Sequence, residues 1–256
     1  GGDDVLLGSS DGNDVFKAGI LQSDGSLIDG NDGNNTIDGK FGINNTLDYS
    51  AYASSRTIKV DMGALDGAGY STVTISDGTT DKIKNIQNII GGAGADTIIG
   101  NSQNNSLVGG AGNDIIKGVA GDNQLLGGAG NDTLIGNVSN NELIGGSGDD
   151  TLIGGAGNDI LRGGSNTTKG DTADYSKANL GIGVTINMGA TQTLGNSNTY
   201  AVSNDGLGGK DYLEVIENIT GSNYTDNISG NDTANYIFGG LGDDTLSGGK
   251  GYDTLE

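Results

Sequence analysis

From Gly91 to Arg162 the chain repeats every nine residues without a slip. The eight units read GGAGADTII, GNSQNNSLV, GGAGNDIIK, GVAGDNQLL, GGAGNDTLI, GNVSNNELI, GGSGDDTLI and GGAGNDILR. Position eight is always a large aliphatic, Ile98, Leu107, Ile116, Leu125, Leu134, Leu143, Leu152 and Leu161, between neighbours that tolerate Thr, Lys, Gln or Arg. An α-helix cannot use this pattern, because nine residues are two and a half helical turns and the aliphatic stripe would change sides at each repeat. Very short strands with position eight facing inward, joined by six-residue turns, do use it. Strand, turn, strand, turn then completes a coil in eighteen residues. The fold expected is all-β, a right-handed parallel β-roll whose coils stack at about 4.8 Å.

A second period of eighteen runs inside the first. Position six carries Asp96, Asn105, Asp114, Asn123, Asp132, Asn141, Asp150 and Asp159, so carboxylate and amide alternate until the last unit. Turns eighteen residues apart fall on one edge of the roll, which therefore collects Asp96, Asp114, Asp132 and Asp150. The full pattern GGxGxD stands at Gly91, Gly109, Gly127, Gly145 and Gly154. Calcium takes six to eight oxygens, and a glycine turn can aim backbone carbonyls inward while a carboxylate closes the shell. The candidate ligands are Gly91, Ala93 and Asp96; Gly109, Ala111 and Asp114; Gly127, Ala129 and Asp132; Gly145, Ser147 and Asp150; and Asp159, with Asp226, Asp244 and Asp253 in the downstream copies.

On the other edge the turns GNSQNN, GVAGDN and GNVSNN have lost the second glycine and the position-six carboxylate. We expect stacked asparagine hydrogen bonds there and little or no metal; the competing reading is of unconnected asparagine turns. Position nine carries Ile99, Val108, Leu126, Ile135, Ile144 and Ile153. These form an outward aliphatic stripe that either docks flanking domains or other subunits or is exposed without consequence.

Along the chain, 1–90 reads as N-terminal coils with a wider insert at 48–90, 91–163 as the regular calcium roll, 164–220 as a second insert, and 221–256 as further repeats. The inserts resemble each other: Asp48-Tyr49-Ser50 matches Asp174-Tyr175-Ser176, and Asp81–Gly91 matches Asp211–Gly221. Their alternating residues imply longer strands continuing the stack, with Leu65–Tyr70 and Ala190–Gly208 as loops. Opening on Gly1 and stopping on Glu256 in mid-repeat, the chain reads as a piece of a longer protein.

Composition narrows the function. A net charge of -21 disfavours nucleic acid and anionic lipid surfaces, and no apolar run is long enough for membrane insertion. Neither His nor Cys occurs, so Ser-His-Asp and Cys-His catalysis cannot be built. The conspicuous acids that might cleave a glycosidic bond already occupy repeat positions, and no enzyme is expected.

These nonapeptides resemble the RTX family, the haemolysin-type calcium-binding repeats of proteins exported by type I secretion. The resemblance implies several bound Ca2+ ions, folding on calcium outside the cell, and a secreted or cell-surface location. The function expected is a structural β-roll of a bacterial surface, adhesin or surface-layer-like protein. Two alternatives stand beside it: a carbohydrate- or surface-binding module using Tyr49, Tyr52, Tyr70, Tyr175, Tyr200 and Tyr212, and a non-catalytic repeat domain of a secreted polysaccharide-modifying enzyme or protease.

Overall fold

A computed structural model describes residues 5–8, 14–17, 20–21, 27–28, 34–194 and 197–256. The turns of the upstream copies at 1–8 and 12–19 lie in part outside the described residues.

Among the described residues the strands form two facing sheets, with thirteen strands in the first and twelve in the second, besides a small antiparallel pair, Ile20–Leu21 with Leu27–Ile28. Strands Thr97–Ile99, Ile115–Lys117, Thr133–Asn137 and Thr151–Gly155 belong to the first. Strands Ser106–Ala111, Gln124–Ala129, Glu142–Ser147 and Ile160–Ser165 belong to the second. Successive nonapeptides thus alternate between sheets. Each residue pairs in parallel with the one eighteen later, as Leu107 with Leu125 and Ile116 with Leu134. The parallel β-roll with eighteen residues per coil is therefore the observed fold.

All eight position-eight aliphatics have zero exposure and form one file of core side chains between the sheets. A pleated strand sends alternate residues to opposite faces, so positions seven and nine point away from that file. Position nine is nevertheless half-buried at Ile99, Val108, Leu126, Ile135, Ile144 and Ile153, because each side chain is covered by its neighbours in the adjacent coils. The expected outward stripe is a partly covered row.

Since the roll is only two strands thick, one core residue per strand carries most of its apolar burial. Leu134→Ala should cost about 2–5 kcal/mol of stability at saturating calcium, measured as a lowered midpoint of chemical denaturation. Ile135→Ala, on the half-buried row, should cost less.

The two inserts are antiparallel meanders spliced into the stack. In the first, Ile58–Asp61, Ser71–Ile75 and Thr80–Lys84 join the thirteen-stranded sheet. In the second, Thr185–Leu194, Ser197–Asn204 and Tyr212–Glu214 join the twelve-stranded sheet. Leu65–Tyr70 is the expected loop. Ala190–Gly208 is not: most of it is paired strand, in the antiparallel hairpin of Thr185–Leu194 with Ser197–Asn204. The matching Asp-Tyr-Ser segments end strands in opposite sheets, Thr46–Asp48 in the second and Thr172–Asp174 in the first. The second insert is thus placed half a coil away from the first.

Candidate metal centre

Position six turns inward. Asp114, Asp132 and Asp150 are 1–2 % exposed, and Asn105, Asn123 and Asn141 are 3 % exposed. Both edges hold these side chains by the same bond, in which the position-six N–H of one coil donates to Oδ1 of position six in the next. On the aspartate edge Asp96 donates to Asp114 at 2.7 Å, Asp114 to Asp132 at 2.7 Å, and Asp132 to Asp150 at 2.8 Å. On the asparagine edge Asn105 donates to Asn123 at 2.8 Å, Asn123 to Asn141 at 3.1 Å, and Asn141 to Asp159 at 2.7 Å. The asparagines form a connected ladder, as expected. Oδ1 does not distinguish the edges, because a carboxylate and an amide oxygen can both accept that bond.

The second side-chain atom does distinguish them. Asparagine Nδ2 donates to nearby carbonyls: Asn105 to Gln87 at 2.7 Å, Asn123 to Ala120 at 3.1 Å and Gly121 at 3.0 Å, and Asn141 to Ser139 at 2.7 Å. Aspartate Oδ2 occupies the corresponding place and has nothing to donate. At Asp114, Asp132, Asp150 and Asp159 this buried oxygen has no hydrogen-bond partner in the protein. It also faces another oxygen. A Cβ on Gly109 would collide with both Asp114 Oδ2 and the Gly127 carbonyl, and one on Gly127 with both Asp132 Oδ2 and the Gly145 carbonyl. Two electron-rich atoms side by side without a donor are costly to bury. A hard cation with oxygen ligands removes that cost, and the donor set fits calcium.

Charge adds to the same pressure. Burial, joined by the neighbouring carboxylates, pushes Asp114 up to about 7, and burial and Asp150 push Asp132 up to about 7. Asp159 is raised to about 7 by burial and by Asp205.

The turn backbones differ as well. Gly110, Gly128 and Gly146 at position two have φ of +116°, +119° and +120°. L residues rarely adopt such angles. Asn101, Val119 and Asn137 stand at that position on the other edge and keep negative φ, so those turns take another path.

Not every expected ligand is equally placed. Both oxygens of Asp96 are taken by the N–H groups of Ile58 at 2.7 Å and Gly92 at 2.8 Å. Asp226 is likewise saturated, by Val184 N–H and by the N–H and hydroxyl of Ser222. The carbonyls of Ala129 and Ser147 accept N–H groups from Gly112 and Gly130 in the preceding coils. Asp244 and Asp253 are half-buried and continue the ladders from Asp226 and Asn235. Asp226 and Asp244 enter strands of the second sheet and Asp253 a strand of the first, so beyond the second insert Asp226 and Asp244 lie on the opposite edge from Asp114 and Asp132 while Asp253 keeps the same one.

Two ligand candidates escaped the repeat search. Asp171 accepts the Asp150 N–H at 2.8 Å and Asp211 accepts the Asp159 N–H at 3.0 Å, and each has an unpartnered buried Oδ2. Burial and surrounding carboxylates push them up to about 7 and about 8. Asp171-Thr-Ala-Asp-Tyr-Ser aligns with Asn45-Thr-Leu-Asp-Tyr-Ser, and that alignment places Asp171 at position six. Three extra residues in its turn broke the ninefold count. Among the described residues no three carboxylates converge into a cage. A centre here would have to draw on carboxylate and backbone carbonyl together.

The model of the RTX calcium-binding nonapeptide repeat matches residues 26–45, then 87–167 in four overlapping stretches, then 220–255, which is more than half of the chain. The chain belongs to the RTX calcium-binding repeat family. No curated protein matches it. As RTX repeats, the nonapeptides bind Ca2+, and the two meanders fall between the matched stretches of this RTX roll.

Of the tyrosines that a carbohydrate-binding surface would need, Tyr49, Tyr52 and Tyr175 are buried in the RTX core. Tyr70 and Tyr212 are half-buried, and the side chain of Tyr200 lies outside those described. Among the described residues no helix is long and apolar enough to cross a membrane.

Proposed function

We propose that this chain is a calcium-triggered structural segment of a secreted or surface-attached bacterial protein of the adhesin or surface-layer type. It is disordered at low calcium and sets into a stiff roll where calcium is abundant. The observation that carries this reading is the file of buried Oδ2 atoms at Asp114, Asp132 and Asp150, each without a donor. The roll brings them into place only when its coils stack, so the ligands come together only in the folded chain. An ion bound by the folded state alone stabilises it by mass action, about 2.7 kcal/mol per site at a hundredfold excess over Kd. The same ions offset much of the -21 charge.

Within this reading Asp114, Asp132, Asp150 and Asp171 hold ions with the position-one carbonyls of adjacent coils. Calcium supplies the positive charge, while the chain's own Oδ1 ladder fixes each carboxylate before the ion arrives. The asparagine ladder keeps the other edge in register without an ion. A structural role within a larger protein, without catalysis, follows from the same allotment of acids.

Far-UV circular dichroism at pH 7.5 tests the coupling. Metal-free chain should read as coil and convert to β on calcium addition, with a sigmoidal titration. A β spectrum that survives thorough removal of calcium would refute it.

A further inference from the structure

The two meanders solve one packing problem in different ways. In the first, Asp81 is buried against the core, its Oδ1 accepting the N–H and Nδ2 of Asn35 at 3.1 and 2.8 Å and its Oδ2 the Tyr49 hydroxyl at 2.8 Å. The carboxylate is fully satisfied by the protein. In the second, Asp211 takes the place of Asp81, Tyr175 that of Tyr49, and Asp159 that of Asn35. Asp159 can offer its N–H but no side-chain donor. The Tyr175 hydroxyl lies beside Asp211 without the aligned hydrogen bond that Tyr49 makes to Asp81.

A third carboxylate makes the deficit larger. Asp205 has zero exposure, and its Oδ1 accepts the N–H groups of Leu207 at 2.7 Å and Gly209 at 2.9 Å. Its Oδ2 has no partner in the protein. A Cβ on Gly209 would collide with both Asp205 Oδ2 and the Gly157 carbonyl, so both oxygens border the same glycine. Gly157 belongs to the repeat turn Gly154–Asp159, whereas Asp205 belongs to the meander. The turns are stacked by Tyr212 N–H to Asp159 O at 2.8 Å and by Lys210 N–H to Asn158 Oδ1 at 3.0 Å.

We propose that Asp205 anchors a divalent cation between the second meander and the repeat turn Gly154–Asp159, with the Gly157 carbonyl as a second ligand and Asp159 and Asp211 as its charge partners. Asp205 itself lies outside the nonapeptide pattern, at no repeat position and in the gap where the family match stops at residue 167 before resuming at 220, whereas Gly157 and Asp159 belong to a repeat turn. The site resembles the repeat centres only in kind, a buried carboxylate oxygen against a carbonyl from another coil. Its role is to lock an antiparallel insert onto a parallel stack, beside the position-six bond from Asp159 N–H to Asp211 Oδ1. The choice of calcium as the cation rests on the function proposed above.

Native mass spectrometry of the full chain titrated with Ca2+ alone provides the test. Asp205→Asn should bind one ion fewer than the wild type. Asp77→Asn, in the exposed Asp-Gly turn of the first meander, should bind the same number. An unchanged count in Asp205→Asn would overturn the site while leaving the repeat centres standing. A wild-type chain that bound no calcium would overturn both readings. Should Asp205→Asn fail to order, Asp205→Ser, which keeps an acceptor for Leu207 and Gly209, provides the second count. Loss of order in both variants that no excess of calcium restores would also overturn the site.

Discussion

Replacing Asp114, Asp132 and Asp150 together by Asn is expected to yield a repeat block that stays folded in chelator and no longer responds to calcium along that edge. The bond that stacks the coils runs to Oδ1, which the amide retains. What changes is the second atom. Oδ2, which has no partner and lies by a carbonyl oxygen, becomes an Nδ2 that can donate; Asn105 and Asn141 already donate from Nδ2 to other backbone carbonyls, those of Gln87 and Ser139. The substitution also removes three negative charges that repel along the stack. Circular dichroism with and without chelator should show β structure in both conditions for the triple variant and only with calcium for the wild type. A triple variant that is coil in chelator would mean that the glycine turns of this edge cannot orient an amide. Changing the same residues to Ala, which keeps neither oxygen, should unfold the block with or without calcium, since each coil loses a buried hydrogen bond worth about 1 kcal/mol and leaves an unpaired N–H.

Acid should substitute in part for calcium. Burial raises Asp114, Asp132, Asp159 and Asp171 to about 7 and Asp211 to about 8 in the folded chain, whereas an unfolded aspartate titrates near about 3.9. Between those values the folded state holds more protons than the unfolded state. The stability of the calcium-free roll therefore falls as pH rises from about 4 to about 7 and is regained on acidification through the same window. Metal-free chain that is coil at pH 7.5 should gain β signal towards pH 5. Below about pH 4 both states are protonated and the gain ends. There Asp66, held at about 2 by the Tyr70 N–H and by Lys82, begins to act in the opposite sense. With calcium present the order reverses, because protons compete for the same oxygens, and the calcium midpoint should move to higher concentration as pH falls. A metal-free chain with no more β structure at pH 5 than at pH 7.5 would show that the carboxylates are not what keeps it unfolded.

Much of this could be read from spacing alone. The inward file from Ile98 to Leu161 follows from period nine, and the division into two edges follows from period eighteen, because turns on one edge must stack. Carboxylate alternating with amide at position six named Asp114, Asp132 and Asp150. The sequence could not separate these from Asp96 and Asp226, which have the same place in the count but are saturated by Gly92 and Ser222 of their own turns together with the N–H groups of Ile58 and Val184 from the inserts. Asp171 was hidden by three extra residues in its turn. Asp205 carries no repeat signature at all; only the fold of the meander brings it against Gly157.

Period and residue type determined the roll, its core and the choice of calcium, because each coil sees the same neighbours and one residue's environment is set by its position in the count. Which oxygens lack a donor was decided by tertiary structure, because hydrogen-bond saturation depends on what the next coil presents, and at the meanders the next coil is not eighteen residues away.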